Sequence, residues 1–245
     1  MSNPRDPRYD ILFEPIRIGP VTAPNRFYQV PHCNGMGRMF PDSMIEMRGM
    51  KAEGGWGIVT TEQCDFHPTG DVQPFTETRM WDDADLPYLA AMVDAVHEHG
   101  ALAGIELVHN GQDSGCLYSR EVPIGPEHRP VTWHQHPIQA RAMSRSDIRD
   151  YRRWHRKAVL RARQAGFDMV VVYAGHNGTV PSHFLSRESN QRSDEYGGSL
   201  ENRLRLYRAL IEETKDAIGD TMAVVARFSV GERAGQDVRE GAGAG

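Results

Sequence analysis

The sequence predicts an α/β fold, a TIM-type (β/α)8 barrel that ends after about five βα units. Strand-like and helix-like segments alternate along the chain, which favours a parallel sheet with helical crossovers. The segment 169–173 is a continuous apolar, β-branched run, as in a strand buried on both faces. A polar or reactive side chain also lies at or just past the end of each predicted strand, where a barrel builds its active site. These side chains are Cys33, Gln63, Glu106, Tyr173 with His176, and Arg227.

The elements of the first half follow in chain order. Residues 27–30 form the first predicted strand, which stops at a proline, and residues 58–62 form the second. Asp85 is the expected N-cap of a helix that has an early proline, one apolar face and an end at Gly100. Residues 102–107 form the third strand.

The second half of the chain repeats this pattern. Ser144 begins a Ser-x-x-Asp capping box, which predicts a helix with an apolar inner face. The buried strand 169–173 follows it. Ser199 then caps a helix whose apolar residues recur with helical spacing until Gly219, and residues 222–228 form the fifth strand.

A missing glycine motif and the number of strands distinguish two parallel architectures, a doubly wound sheet and a barrel. A doubly wound sheet would carry Gly-x-Gly-x-x-Gly after its first strand, and this motif is absent there, so a barrel is favoured. Five strands cannot close an eight-stranded barrel. We therefore expect a partial barrel domain over residues 1–230, an irregular glycine-rich tail over residues 231–245, and a truncated chain.

Composition narrows the functional classes. The 245 residues carry a net charge of −5 and 25% charged side chains, which suggests neither a nucleic-acid partner nor an anionic membrane. The basic run 152–157 alternates with apolar positions and is interpreted as a solvated helix face rather than a phosphate-binding surface. No apolar stretch approaches the roughly 20 residues of a membrane span, and no signal peptide is evident. A cytoplasmic protein is predicted, with the oligomeric state, a homo-oligomer included, left open.

The thiols and imidazoles suggest neither a disulfide framework nor a metal site. Cys33, Cys64 and Cys116 are odd in number and widely spaced. No set of histidines, cysteines and carboxylates has the spacing of a zinc site, so we predict no metal. Cys33 directly follows the first strand, and two interpretations stand. Its thiol either faces a ligand or is a small buried apolar group, as most unpaired cysteines are.

Five segments of the chain resemble one enzyme family. The segment 190–203, NQRSDEYGGSLENR, matches the most recognisable signature of the old yellow enzyme family of flavin-dependent oxidoreductases. Segments 9–16, 25–33, 51–56 and 97–107 are most similar to its trimethylamine, dimethylamine and histamine dehydrogenase branch. The resemblance implies a barrel that holds FMN. It also implies an iron–sulfur segment and a nucleotide-binding region further along, and neither is present in this sequence.

The resemblance implies roles for residues around the flavin. Cys33 matches the cysteine that in this branch bonds covalently to carbon 6 of the flavin. Glu106 matches the position that accepts a hydrogen bond from flavin N3–H. Arg227 matches the arginine beside flavin N1 and O2. A thiolate held against the ring edge is a suitable nucleophile for that bond. The cofactor-binding positions that follow are Val30, Pro31, His32, Cys33, Glu106 and Arg227.

Two further pairs of residues match the substrate side of the flavin. Tyr173 and His176 match the pair that takes up the proton of a protonated amine. Gln63 stands where the trimethylamine enzyme has a tyrosine, and Val108 where it has a tryptophan, so the aromatic bowl that binds a trialkylammonium is altered. An amide at position 63 suits a substrate with an N–H or another polar group. Trimethylamine is therefore disfavoured.

The leading functional hypothesis is an FMN-dependent amine dehydrogenase or demethylase, with an electron-transferring flavoprotein as the electron acceptor that the family implies. The first alternative is an NAD(P)H-dependent ene-reductase on the same barrel. It is disfavoured by Cys33, by Glu106, and by Gly178, which stands where ene-reductases carry their proton-donating tyrosine. The second alternative is an inactive fragment, because the flavin phosphate site of such barrels lies on loops after the late strands.

Overall fold

The computed structural model describes residues 6–72, 77–131 and 138–229. Its strands, in chain order, are β1 Ile16–Ile18, β2 Val21–Ala23, β3 Tyr28–Gln29, β4 Ile58–Asp65, β5 Thr78–Arg79, β6 Leu102–Val108, β7 Ile124–Gly125, β8 Arg129–Pro130, β9 Gln139–Ala142, β10 Met169–Ala174 and β11 Ala223–Phe228. Its α-helices are α1 Pro41–Glu53, α2 Leu86–His97, α3 Arg145–Gln164, α4 Val180–Leu185 and α5 Leu200–Ile218. The predicted tail, residues 231–245, lies outside the described residues, so the domain limit at residue 230 stays a prediction.

The main sheet is half of a parallel barrel. Its strands run in the order β11-β10-β6-β4-β3, every neighbouring pair is parallel, and β5 pairs with the end of β4. Each crossover between sequential strands of this order passes through a helix, namely α1, α2, α3 or α5. The predicted fold class, a TIM barrel that stops after about five strands, is confirmed. Two small additional sheets, β1-β2 and β7-β9-β8, are separate from the main sheet.

Local sequence signals explain the elements that were predicted. Strand β10 is buried over its whole length, as its unbroken apolar run requires. Ser144 accepts a hydrogen bond from the backbone of Asp147, and the reciprocal contact completes the capping box of α3. The Ser199 side chain accepts a hydrogen bond from the backbone of Asn202 and so caps α5, and Gly219 ends that helix with a positive φ of 53°.

The first helix prediction needs a correction. Asp85 is not a side-chain N-cap: Asp82 caps a short 3-10 turn, residues Asp83–Asp85, which leads directly into α2. The Asp85 carboxylate instead accepts a hydrogen bond from Arg79 Nε at 2.8 Å and another from the Trp81 backbone. The helix ends at His97, three residues before Gly100.

Some element limits also differ, and some elements were not predicted. The first strand is shorter than residues 27–30, and the second continues three residues beyond residue 62. Helices α1 and α4 were missed. Helix α1 carries almost no segregated apolar face, and α4 has only six residues, so neither displays the periodicity on which a helix prediction depends.

The basic run of α3 contributes to packing between helices. The inner face of α3 buries apolar residues against the sheet, while Arg153 and Arg156 are exposed on the opposite side. The Arg152 guanidinium forms an ion pair with Glu213 on α5. This placement fits the interpretation as a solvated face for Arg153, Arg156 and Lys157, whereas His155 in the same run is buried. Among the described helices, none is both long and apolar enough to cross a membrane.

Candidate active site

A cavity of about 580 Å³ opens at the C-terminal ends of the parallel strands. Its volume lies in the range of roughly 300–1,000 Å³ that is typical of ligand pockets. Strands β3, β4, β6, β10 and β11 each contribute lining residues, either from near the C-terminal end of the strand or from the loop that follows it. The lining residues are Pro31, His32, Cys33, Gln63, Glu106, Asn110, Tyr173, His176, Gly178, Thr179 and Arg227.

An ion pair crosses the floor of this cavity. Arg227 Nη1 on β11 donates to Glu106 Oε2 on β6 at 2.6 Å, spanning the intervening strand β10. The guanidinium carbon of Arg227 also lies 4.7 Å from the centre of the Tyr173 ring, and the two residues are direct partners in the parallel register. Burial raises the pKa of the Glu106 carboxyl, and the adjacent guanidinium opposes that shift.

Tyr173 and His176 form a hydrogen-bonded pair on the wall next to Arg227. The Tyr173 hydroxyl is bonded to His176 Nδ1. His176 has a φ of 56°, and its backbone N–H donates to Ser229 Oγ at 3.0 Å, which anchors this unusual conformation. Burial, and then the charge of Arg227, lower the pKa of His176, while burial raises the pKa of Tyr173. At neutral pH the pair therefore consists of a phenol and a neutral imidazole.

Cys33 faces an acidic neighbour that the sequence did not suggest. Its Sγ donates to Glu77 Oε2 at 3.4 Å. Burial, followed by the charge of Glu77, raises the pKa of the thiol to about 12, and burial raises the pKa of Glu77 to about 7. Although the residue as a whole is solvent-exposed, its sulfur lies against the Glu77 carboxylate. In this state Cys33 is a protonated thiol, not a thiolate.

The predicted site residues do not all reach the cavity. Pro31, His32, Cys33, Gln63, Glu106, Tyr173, His176 and Arg227 line it together. Val30 and Val108 are not among the lining residues. Val30 is 55% exposed, whereas Val108 is 1% exposed and its Cα is paired with Asp65 across the sheet. The implied contacts of Val30 with the flavin and of Val108 with substrate therefore have no support from this geometry.

Sequence reasoning missed three residues of the site and its wall. Asn110 and Thr179 line the cavity, and Glu77 contacts Cys33. Asn110 follows β6 by two residues, so the rule that selected the other strand-end side chains applies to it as well. Glu77 lies 44 residues from Cys33 in the chain. No spacing or periodicity in the sequence connects these two.

Comparison with known proteins agrees with the geometry of the site. The family model described as "NADH:flavin oxidoreductase / NADH oxidase family" matches residues 11–242, which is nearly the whole chain. The chain belongs to this family. The resemblance to old yellow enzymes and their amine dehydrogenase branch is thereby confirmed.

Three relatives show where within the NADH:flavin oxidoreductase family the chain is most similar. Dimethylamine dehydrogenase of Hyphomicrobium sp. (strain x) is 43% identical over 228 residues, covering 91% of this chain and 31% of that protein. Histamine dehydrogenase from Rhizobium sp. 4-9 matches with a TM-score of 0.89 and 51% identity, covering 92% of this chain and 35% of that one. The 6-hydroxypseudooxynicotine amine oxidase of Pseudomonas geniculata N1 matches with a TM-score of 0.90 and 50% identity, covering 92% and 34%. The chain thus spans about a third of the length of these relatives.

The residues of the cavity fit a flavin ring. Cys33 and Arg227 line the same cavity, so one planar ring can contact both. Arg227, Glu106 and the amide of Gln63 supply donors and acceptors for a ring with several carbonyl and nitrogen atoms. The amide nitrogen of Asn110 already donates to Asp65 and to the carbonyl of Gly70. The phenol of Tyr173 provides an aromatic wall beside them.

Proposed function

We propose that this chain is the flavin-binding part of an amine-oxidising dehydrogenase, with FMN in the 580 Å³ cavity. The observation that carries the proposal is the pair of Tyr173 and His176 on the cavity wall, next to Arg227. A neutral imidazole bonded to a phenol is suited to accepting a proton from a cationic substrate. The family membership and the three amine-oxidising relatives support the same conclusion.

The chain's own residues would bind the cofactor and move one proton. Bound FMN supplies the acceptor of the hydride from the carbon next to nitrogen, and the iminium released hydrolyses to an aldehyde and the shortened amine. Methylamines are protonated in water, and the nitrogen must lose that proton before the C–H bond becomes reactive. His176 is the expected base, since its lowered pKa keeps it neutral at pH 7. Tyr173 keeps its own proton and accepts a hydrogen bond from Nδ1–H of His176, which orients the ring and leaves Nε2 as the nitrogen that takes up the substrate's proton.

The polar end of the cavity would hold the flavin ring. Arg227 provides a fixed positive charge, and its ion pair with Glu106 fixes the direction of the guanidinium. Cys33 would contact the opposite edge of the ring. A covalent bond through this thiol is part of the proposal. Forming it would release the thiol proton, which lies in a hydrogen bond to Glu77, and the hydrogen of the ring carbon. The two electrons left behind would pass to the electron acceptor of the full-length enzyme.

The proposed substrate is an amine that carries a hydrogen-bonding group. Gln63 lines the cavity and places an amide where an aromatic wall would otherwise select a trialkylammonium ion. The substrates named for the relatives are dimethylamine, histamine and 6-hydroxypseudooxynicotine, which differ in size. As electron acceptor we propose an electron-transferring flavoprotein, reached through an iron–sulfur cluster held by other parts of the full-length enzyme.

The decisive experiment measures whether amines bleach the bound flavin. The protein is purified, reconstituted with FMN and titrated without oxygen with dimethylamine, histamine and trimethylamine while the absorbance near 450 nm is recorded. We expect an amine with an N–H to bleach the flavin. In a separate assay with NADPH and an enone, we expect neither bleaching by NADPH nor reduction of the enone. Bleaching by NADPH with turnover of the enone would instead favour the ene-reductase hypothesis. Acid precipitation then separates covalent from free flavin, and a colourless protein would favour the inactive-fragment hypothesis.

A further inference from the structure

Two fully buried charged side chains hold the main chain on either side of Cys33. Arg48 on α1 and Glu62 on β4 are each 0% exposed. Arg48 Nη2 donates to the carbonyl of His32 at 3.0 Å, and Glu62 Oε2 accepts from the backbone N–H of Asn34 at 3.0 Å. The residues immediately before and after Cys33 are thus fixed by a cation and an anion that come from two different elements.

Each charged group is itself held by further contacts. Arg48 Nη1 donates to Gln29 Oε1 at 2.9 Å and lies 3.3 Å from Nδ1 of His32. Glu62 Oε1 accepts from the backbone and the hydroxyl of Thr78, at 3.0 and 3.2 Å. Both side chains are therefore fixed at several points, so neither can shift without breaking bonds to β3 or β5.

The loop after Cys33 is packed closely against Glu62. Gly37 has a φ of 24°, and a Cβ placed there would lie 2.5 Å from Glu62 Oε1 and from the backbone nitrogen of Thr78. Only glycine allows the main chain to approach the carboxylate so closely. The segment that carries Cys33 is thus confined from both ends.

Burying two charges is costly, which indicates that a simple structural contact is not their whole role. A buried charge is tolerated only when hydrogen bonds replace its lost hydration. Burial lowers the pKa of Arg48 to about 10, so it remains a cation at neutral pH, and the charge of Glu62 favours that cation. Neutral side chains could satisfy the same main-chain groups at a lower cost, but with less directional bonds.

We propose that Arg48 and Glu62 are positioning residues for Cys33, which hold the main chain on both sides of it so that its thiol stays at the cavity wall. This inference rests on the proposed function, because holding the thiol in place matters only if Cys33 contacts the edge of the flavin. It adds two residues that touch neither cofactor nor substrate.

A positioning role and a purely electrostatic role predict opposite outcomes for Arg48→Met. If only charge mattered, Arg48→Met would remove a cation and make the thiolate less stable, while Glu62→Gln would remove an anion and make it more stable. The two variants would then change the reactivity of Cys33 in opposite directions. If position matters, both variants release the thiol from its buried place beside Glu77, and its pKa falls from about 12 towards the ordinary value of 9. Reactivity then rises in both.

The test is the rate at which iodoacetamide modifies Cys33 in the flavin-free protein at pH 8. Mass spectrometry of the Cys33 peptide separates this thiol from Cys64 and Cys116, which are both buried. We expect Arg48→Met and Glu62→Gln each to raise the rate by about tenfold or more, since one pKa unit changes the thiolate fraction about tenfold. Glu62→Gln disturbs the loop because its amide NH2 must face one of two N–H donors, those of Asn34 and Thr78. Arg48→Met is the variant that separates the two roles.

Arg203→Met is the matched control. Arg203 on α5 is 2% exposed and donates to the carbonyls of Leu185 and Gly198, so it is a comparably buried arginine that holds main chain other than the segment of Cys33. Its loss should reduce stability without changing the alkylation of Cys33. Equal acceleration in Arg203→Met would overturn the proposal, because general loosening would explain the effect. An unchanged or slower rate in Arg48→Met would overturn it as well.

Milder variants keep the test decisive if a neutral variant fails to fold. Arg48→Lys and Glu62→Asp retain the charges but not the reach or the forked geometry, so both should again accelerate the modification. Wild-type rates in these two folded variants would refute the positioning role. The measurement needs neither flavin nor substrate. A failure of amine oxidation alongside the expected alkylation pattern would therefore count against the proposed function alone.

Discussion

His155 offers a sharp test of the energetics of this fold. It lies on the inner face of α3, is 2% exposed, and packs edge to face against Phe66 with ring centres 5.3 Å apart. Within the described structure neither of its ring nitrogens has a hydrogen-bond partner. We predict that His155→Phe stabilises the protein, because phenylalanine keeps the ring contact and removes two unsatisfied polar atoms.

The expected magnitude follows from burial and from the pKa. Leaving a buried polar group without a partner costs about 1–3 kcal/mol, so a gain of about 1–2 kcal/mol at pH 7 is expected once the slightly larger ring is accommodated. Burial also lowers the pKa of His155 from 6.5 to about 4. At 1.36 kcal/mol per pKa unit, this corresponds to about 3 kcal/mol of stability that the wild-type protein loses as the pH falls from 6.5 to 4, because only the unfolded state binds the proton there.

The assay is urea unfolding followed by circular dichroism at pH 7.0 and pH 5.0. The variant should unfold at a higher urea concentration at pH 7.0, and its advantage should grow at pH 5.0. A smaller pH dependence will remain, because burial also lowers the pKa of His67 to about 4. His99→Phe is the control: His99 is exposed, so its replacement should change the free energy of unfolding by less than about 0.5 kcal/mol. A His155→Phe variant that is less stable than wild type, or equally pH-dependent, would refute the reasoning.

Three further predictions concern the cavity. Glu106→Gln should lower the free energy of unfolding by about 1–2 kcal/mol in urea titrations, because the 2.6 Å bond to Arg227 loses one of its charges; an unchanged value would mean that the pair contributes no net stability. Tyr173→Phe should slow amine-driven bleaching of bound FMN by about 100-fold in stopped-flow experiments, and wild-type rates would exclude a role for its hydroxyl. Glu77→Gln should speed alkylation of Cys33 by about tenfold or more at pH 8, because the neighbouring charge that raises the pKa of the thiol is removed; a slower reaction would contradict that cause.

Local patterns in the sequence were sufficient for the framework of the fold. The apolar run of β10, the capping box at Ser144 and the cap at Ser199 each predicted an element that the structure contains. These signals are local because hydrogen-bond periodicity and caps act over a few residues. The resemblance to flavin-dependent oxidoreductases likewise depended on short contiguous motifs.

Several features were accessible only from the tertiary structure. The contact between Cys33 and Glu77 joins residues 44 positions apart, and burial together with this contact raises the pKa of the thiol, so that it stays protonated. The exclusion of Val108 from the cavity depends on its burial at the end of β6, and the role of Arg48 depends on a helix with no amphipathic signal. Periodicity states which face of an element is apolar, but not which distant side chain will lie against it. That choice is made when the strands align in register and the loops between them close, so burial and charge at this site were decided by the folded sheet.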